Sequence, residues 1–288
     1  DNRVIVFTGP DNSAVPVFTE AEVLAILSDV KKMELTSYED AVMDDELMRG
    51  LKLNKGLVSS ETIDSINDIT RFELNNGAKI IYKKTNFKDN QIVFSAFSYG
   101  GTSLYTDEEY LKTDIANSAL TEAGVNGFSK TELKKLLTGI GVNVMPYINS
   151  ISEGMQGFAN PKDFEHLFQL IHLYFTKLNN DPKAYNSHVV KMKAYLKNAL
   201  SDPRTYFGVE IDAFLNSENP RYVGFPTDVM WGNTDYNLAL EKFRERFSDA
   251  SDFNFYFVGN LEPEVLKKYA ALYIGSLPGS KTSEKYKD

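Results

Sequence analysis

Apolar residues recur with a period of two in several short stretches and near 3.6 in several longer ones, so strands and helices alternate along the chain. The first stretch, Val4-Ile5-Val6-Phe7, closes on Thr8-Gly9 and reads as a strand. A loop from Pro10 to Pro16 follows. Thr19 with Glu22 three residues later is a capping-box pattern, and Val23, Leu24, Ile26 and Leu27 supply the apolar stripe of a helix. From Lys31 to about Ile66 the periodicity fades. Acidic clusters (Glu39-Asp40, Asp44-Asp45-Glu46) and the breakers Gly50, Gly56 and Ser59-Ser60 read as a solvated linker.

A compact domain begins near Ile69. Phe72 and Leu74 alternate toward Asn75-Asn76-Gly77, a hairpin turn signal, and Ile80-Ile81-Tyr82 returns as the partner strand. Gln91 to Tyr99 is a third strand, with Ile92, Phe94 and Ala96 on one face, ending at Gly100-Gly101. A helix spans about Asp107 to Ala123 and stops at Gly124; Ser129 with Glu132 caps a short helix to Leu137. Two strands, about Val142 to Ile148 and Ile151 to Phe158, are joined by an Asn-Ser turn, and Pro146 marks an edge or a bulge. Helices follow over Asp163 to Leu178, from Asp181-Pro182 to about Leu200, and from Asp202-Pro203 onward. After a polar stretch, Asn216 to Asn233, a helix over about Tyr236 to Phe247 leads into the strand Phe253 to Val258 and a last helix, Pro263 to Tyr273. This order predicts an α+β fold, a two-layer sandwich with a mainly antiparallel sheet and helices packed on one face.

The two ends echo each other. Val4 to Gly9 leads through a loop to Glu22-Val23-Leu24, and Phe255 to Gly259 leads through a loop to Glu264-Val265-Leu266. A chain that opens with the end-unit of one domain and closes with the same unit of the next is expected to be a piece of a longer, duplicated protein. The expected division is 1–30 as the strand and helix that end a preceding domain, 31–66 as linker, and 67–288 as the domain proper.

Composition narrows the chemistry. Of 288 residues, 42% are hydrophobic and 12% aromatic, enough to bury a sizeable core. The 31 Lys+Arg against 40 Asp+Glu give a net charge of −9, which argues against nucleic acid or an anionic membrane surface as partner. No run approaches 18 apolar residues, so no membrane span is expected. Cysteine is absent, which removes disulfides, thiol nucleophiles and Cys-based metal sites. Lys162-Asp163-Phe164-Glu165-His166 is one substitution from H-x-x-E-H, but an ammonium at the first ligand position has no lone pair and repels the ion. His172, six residues on, falls well round the helix. His166, His172 and His188 therefore read as ordinary half-buried or surface imidazoles. Gly100-Gly101 and Gly124-Val125-Asn126-Gly127 match neither phosphate-loop pattern and read as terminators, and no G-x-S-x-G elbow occurs. Taken alone, these residues describe a globular domain without an evident catalytic centre.

A longer pattern does point to a family. Phe87 to Leu104, with its strand and Tyr99-Gly100-Gly101-Thr102, resembles the first strands of a domain of the insulinase/pitrilysin zinc metallopeptidases. So does Gly124-Val125-Asn126-Gly127-Phe128-Ser129 leading into Glu132-Leu133-Lys134-Lys135-Leu136-Leu137. Asp163 to Leu170, Phe255 to Asn260, and Pro16 to Glu22 with Ser37-Tyr38-Glu39-Asp40 are similar as well. The resemblance covers nearly the whole chain and is nearest to the long bacterial members, which carry two halves of two domains each. Their working half binds zinc through H-x-x-E-H on the first long helix plus a Glu on a later one. Here the motif window falls over Ile115 to Ala119 and holds no His or Glu, and the later helix, Tyr185 to Met192, has no Glu. The resemblance thus implies no catalytic, cofactor-binding or metal-binding residue in this chain, and zinc only in the catalytic half of the parent protein. It implies the first domain of the non-catalytic half, enclosing a substrate chamber. Its partners would be the catalytic half of the same polypeptide and a peptide or small-protein substrate, in the periplasm or cell envelope. The alternative is a catalytically silent relative acting in peptide binding or assembly.

Overall fold

The computed structural model describes residues 4–6, 18–33 and 46–287. The chain forms two compact units, Asp1–Val42 and Met43–Asp288. In the first unit, α1 (Glu20–Lys32) starts as its sequence demands: the Thr19 hydroxyl accepts the Glu22 N–H, and the Glu22 carboxylate accepts the Thr19 N–H at 2.8 Å. Val4–Val6 is exposed and forms no strand, contrary to the sequence reading. An apolar run becomes a strand only where another strand offers its free N–H and C=O groups. The rest of that reading, Phe7 to the Pro16 loop, lies outside the described residues, as do the acidic clusters up to Asp45.

The second unit is built on a seven-stranded sheet. In chain order its elements are β1 (Val58–Asp64), β2 (Ile69–Leu74), β3 (Lys79–Lys84), β4 (Ile92–Tyr99), α2 (Asp107–Asn117), α3 (Lys130–Leu136), β5 (Val142–Ile148) and β6 (Ser152–Ala159). Then come α4 (Phe164–Thr176), α5 (Pro182–Ala199), α6 (Pro203–Leu215), α7 (Asp228–Asn233), α8 (Tyr236–Arg246), β7 (Asn254–Gly259) and α9 (Pro263–Tyr269). The strand order is β1-β2-β3-β7-β4-β6-β5. All pairings are antiparallel except β3 with β7, so the fold is the α+β, mainly antiparallel arrangement expected.

Two features depart from the sequence reading. β1 lies inside the stretch read as linker and pairs along all of β2, while Leu47, also in that stretch, is buried in the core. The polar stretch before α8 holds the short helix α7, capped by Thr227. Elsewhere local chemistry and structure agree. The β2–β3 hairpin turns at Gly77, whose φ of +93° suits glycine. Ser129 and Glu132 close the capping box of α3, and Asp181 and Asp202 cap α5 and α6 ahead of Pro182 and Pro203. Pro146 sits on β5, an edge strand where a missing N–H removes little.

The core lies between one face of the sheet and the helices. Phe72, Ile80, Ile92, Phe94, Met155, Phe255 and Phe257 point into it from five strands, β2, β3, β4, β6 and β7, and meet the buried faces of α4, α8 and α9. Phe257, on the central strand β7, has its ring centroid 5.0 Å from Phe168 of α4 and 5.1 Å from Phe94 of β4. Phe175 of α4 packs edge-on against Phe253 and Phe247 at 4.9 and 5.3 Å. Aromatic pairs in such geometries add to the area term that drives burial.

Candidate functional site

The helix that would carry the family's zinc motif is α2. Its motif window contributes Ile115, Ala116 and Ala119 to the core, and α2 ends within it, at Asn117. The remaining positions, Asn117 and Ser118, carry an amide and a hydroxyl; Ser118 Oγ donates to the Ile115 carbonyl at 2.8 Å. Hydrocarbon and amide groups do not suit Zn²⁺, which takes imidazole, thiolate or carboxylate. Among the described residues, no group of three or more His, Asp or Glu is placed to hold a metal. The residues present do not fit a zinc site.

The three histidines are far apart in role. His166, on α4, is half-buried, and its Nδ1 has no hydrogen-bond partner among the described residues; the adjacent Glu165 accepts the Tyr273 hydroxyl at 2.7 Å. Lys162, the residue in place of a first ligand, is exposed on the turn before α4. His172 is buried, with Nδ1 2.9 Å from the Tyr273 carbonyl, so that this nitrogen carries the proton it donates. Burial pushes its pKa down, and the Tyr273 carbonyl partly opposes this. It is thus more deeply buried than the half-buried imidazole expected. His188, on α5, lies 3.9 Å from Glu122.

Both glycine segments have their backbone donors already taken. Gly101 N–H donates to Glu153 at 2.6 Å, Thr102 N–H to the Asn149 carbonyl and Ser103 N–H to the Ser150 carbonyl. In the second, Val125 N–H goes to Phe128, Asn126 N–H to Lys177 and Gly127 N–H to the Asn179 side chain. Neither presents the free N–H cradle that a phosphate needs.

The Gly101 contact leads to a charge cluster that sequence reasoning missed. Glu153 of β6 is 1% exposed, and burial pushes its carboxyl up to about 7, against the pull of the Gly101 N–H and Arg246. Arg246, at the end of α8, donates to Glu284 at 2.6 Å and to Glu245 at 2.9 Å. Glu284 belongs to a C-terminal segment pinned further by Ser280 and Thr282 on Asp249 and by the Lys281 N–H on Ser251 at 2.9 Å. Four separate segments meet here, so no spacing in the sequence marks the cluster. It contains no nucleophile paired with a base. Its geometry ties the end of the chain to the sheet.

On the sheet's other face, Arg71, Lys79, Val93 and Val258 are exposed. Register places three rows of side chains across the strands from β1 to β4: Ser60, Glu73, Lys79, Asn254 and Phe97; Thr62, Arg71, Ile81, Tyr256 and Ser95; Asp64, Ile69, Lys83, Val258 and Val93. Tyr256 and Phe97 stack at 5.9 Å with an interplanar angle of 3°. A groove of about 480 Å³ lies on this face over β1, β2, β3 and β7. No helix among the described residues is long and apolar enough to cross a membrane.

No protein-family model matches the chain. It is 25% identical over 278 residues to the probable zinc protease PqqL of Haemophilus influenzae, covering 96% of this chain and 29% of that protein. A zinc protease PQQL-like protein of Arabidopsis thaliana is 26% identical over 212 residues, 73% of this chain and 20% of the relative. The chain therefore spans less than a third of the curated relatives it matches. Among solved structures, the periplasmic protease PqqL of Escherichia coli superposes with a TM-score of 0.70 at 21% identity, over 94% of this chain and 30% of that one. Pitrilysin gives 0.60 at 16%, covering 82% and 26%. A peptidase M16 inactive domain from Pseudomonas fluorescens gives 0.59 at 15%, covering 76% and 53%. The chain is thus similar over nearly its whole length to part of the PqqL zinc proteases, and it shares its fold with pitrilysin and with a peptidase M16 inactive domain.

Proposed function

We propose that the chain is the first domain of the non-catalytic half of a long insulinase-like zinc metallopeptidase. Residues 1–30 would end the domain before it, and 31–66 would be the linker, with β1 as its docked last part. The domain would pack against the catalytic half of the same polypeptide and help wall the chamber in which peptides or small proteins are cleaved. One observation supports this reading: the fold is shared with these proteases while α2 and the turn after it bury Ile115, Ala116 and Ala119 where the motif would stand. Zinc and the Glu that activates water would belong to the catalytic half. This chain's contribution is a stiff sheet whose core side is filled with aromatic rings and whose other side stays open. The likeness to a periplasmic protease supports an envelope location as part of the same proposal.

Elemental analysis after dialysis against zinc, with a peptidase assay on an unfolded protein substrate, tests it. The chain is expected to retain far less than one zinc per molecule and to cleave nothing. About one zinc per chain, lost in His166→Ala, would overturn the proposal.

A further inference from the structure

The open face of the sheet has an uneven charge. The groove over β1, β2, β3 and β7 is lined by three cations, Arg71, Lys79 and Lys83, and one carboxylate, Glu73. The chain as a whole carries −9, so this is a local reversal of sign. Between the cations the floor is apolar, with Ile81 beside Tyr256 in the middle row and Val258 beside Lys83 in the next. Lys83 Nζ donates to the Asn67 carbonyl at 2.7 Å, which holds it at the rim. Hydrogen bonds from Asn67 hold the Asp64 carboxyl below its usual range, with only a minor pull from Arg71, and neither Arg71 nor Lys79 forms an ion pair with a carboxylate among the described residues. Two cations flanking an apolar floor are thus held open to solvent on rigid strands.

We propose that this groove binds an extended peptide segment in which acidic side chains flank an apolar or aromatic one. The proposal rests on the chamber-wall reading above and names the chemical class of peptide that this wall selects. The dimensions agree. From β1 to β7 there are three interstrand spacings of about 4.8 Å, roughly 14 Å, which about four extended residues span at about 3.3 Å each. In that span the apolar side chain would lie on Ile81 and Tyr256, a carboxylate on the β2 side would reach Arg71, and a second, displaced by one row along β3, would reach Lys79. Charge-assisted bonds of this kind are the stronger ones, and Arg suits a carboxylate by its paired donors.

The test uses the whole chain and three fluorescein-labelled peptides alike except at their charged positions: Glu-Phe-Glu-Leu-Glu, its Lys counterpart and its Gln counterpart. Fluorescence anisotropy is expected to show the Glu peptide binding at least about tenfold tighter than the Lys peptide, with affinity falling as salt rises. The Arg71→Glu/Lys79→Glu variant should lose or invert that preference. Both side chains lie on the sheet surface, and circular dichroism verifies that the variant folds; Lys79→Gln gives a milder step in the same direction. Equal binding of the three peptides, no binding of any, or a preference unchanged in the double variant would overturn the proposal. So would a dimer in sedimentation equilibrium that the double variant dissolves, because a second copy would then be the occupant. None of these outcomes touches the zinc content, so the wall's selectivity can fail while the non-catalytic reading stands.

Discussion

Replacing Glu153 by glutamine should make the protein more stable at pH 8 and change it little at pH 5. The folded carboxyl has a pKa of about 7 against 4.5 in its ordinary state. A raised carboxylate pKa means that the folded state disfavours the charged form. The penalty is full above pH 7 and fades as the pH falls toward 4.5, because the folded state then takes up its proton first. At 1.36 kcal/mol per pH unit, the 2.5-unit gap amounts to about 3 kcal/mol at pH 8, falling to about 1 kcal/mol at pH 5. Glutamine keeps an oxygen for the Gly101 N–H and has no charge to desolvate, though its amide hydrogens forfeit part of the gain. The stability difference between variant and wild type should therefore change by about 2 kcal/mol across that range, or roughly 4–8 °C in Tm for a unit of this size. Urea unfolding followed by circular dichroism at several pH values measures it. Comparing the two proteins removes the titration of Asp252, which burial and neighbouring carboxylates raise to about 6, since it is common to both. Parallel profiles for the two proteins from pH 5 to 8 would refute the reasoning.

Two further outcomes follow from the packing. Phe257→Ala should lower the unfolding free energy by about 3–5 kcal/mol in chemical denaturation, since it leaves a void among Phe94, Phe164 and Phe168. A chain starting at residue 67 should associate in sedimentation velocity where one starting at residue 43 does not, because removing β1 strips β2 of its partner and Leu47 from the core.

Much of the fold was legible because local chemistry and burial agree. Thr19 with Glu22 and Ser129 with Glu132 mark helix starts, Pro146 marks an edge strand, and the Phe164-Leu167-Phe168-Ile171-Phe175 stripe becomes the buried face of α4. β1 escaped because nearly every residue of Val58–Asp64 is exposed, so no alternation of apolar and polar positions could announce it. Val4 to Val6 misled for the converse reason: their apolar character suggested burial, yet all three are exposed. For the site, Ile115 to Ala119 could be read directly, since a missing ligand is visible in the sequence. The Glu153–Arg246–Glu284 cluster and the cationic groove could not, because each joins segments brought together only by the long-range register of the sheet.

That register also sets the order of assembly. β7 lies between β3 and β4, yet it is the last strand to be synthesised, some 95 residues after β6 ends its return along β4. Until Asn254 to Gly259 leaves the ribosome, the β1–β3 ribbon and the β4–β6 meander must wait as two halves with bare inner edges. Closing the gap joins positions nearly 180 residues apart, such as Ile80 and Phe255, so folding should be slow and its final step should lock both halves at once. A nascent chain stalled before that strand would be the species most in need of a chaperone.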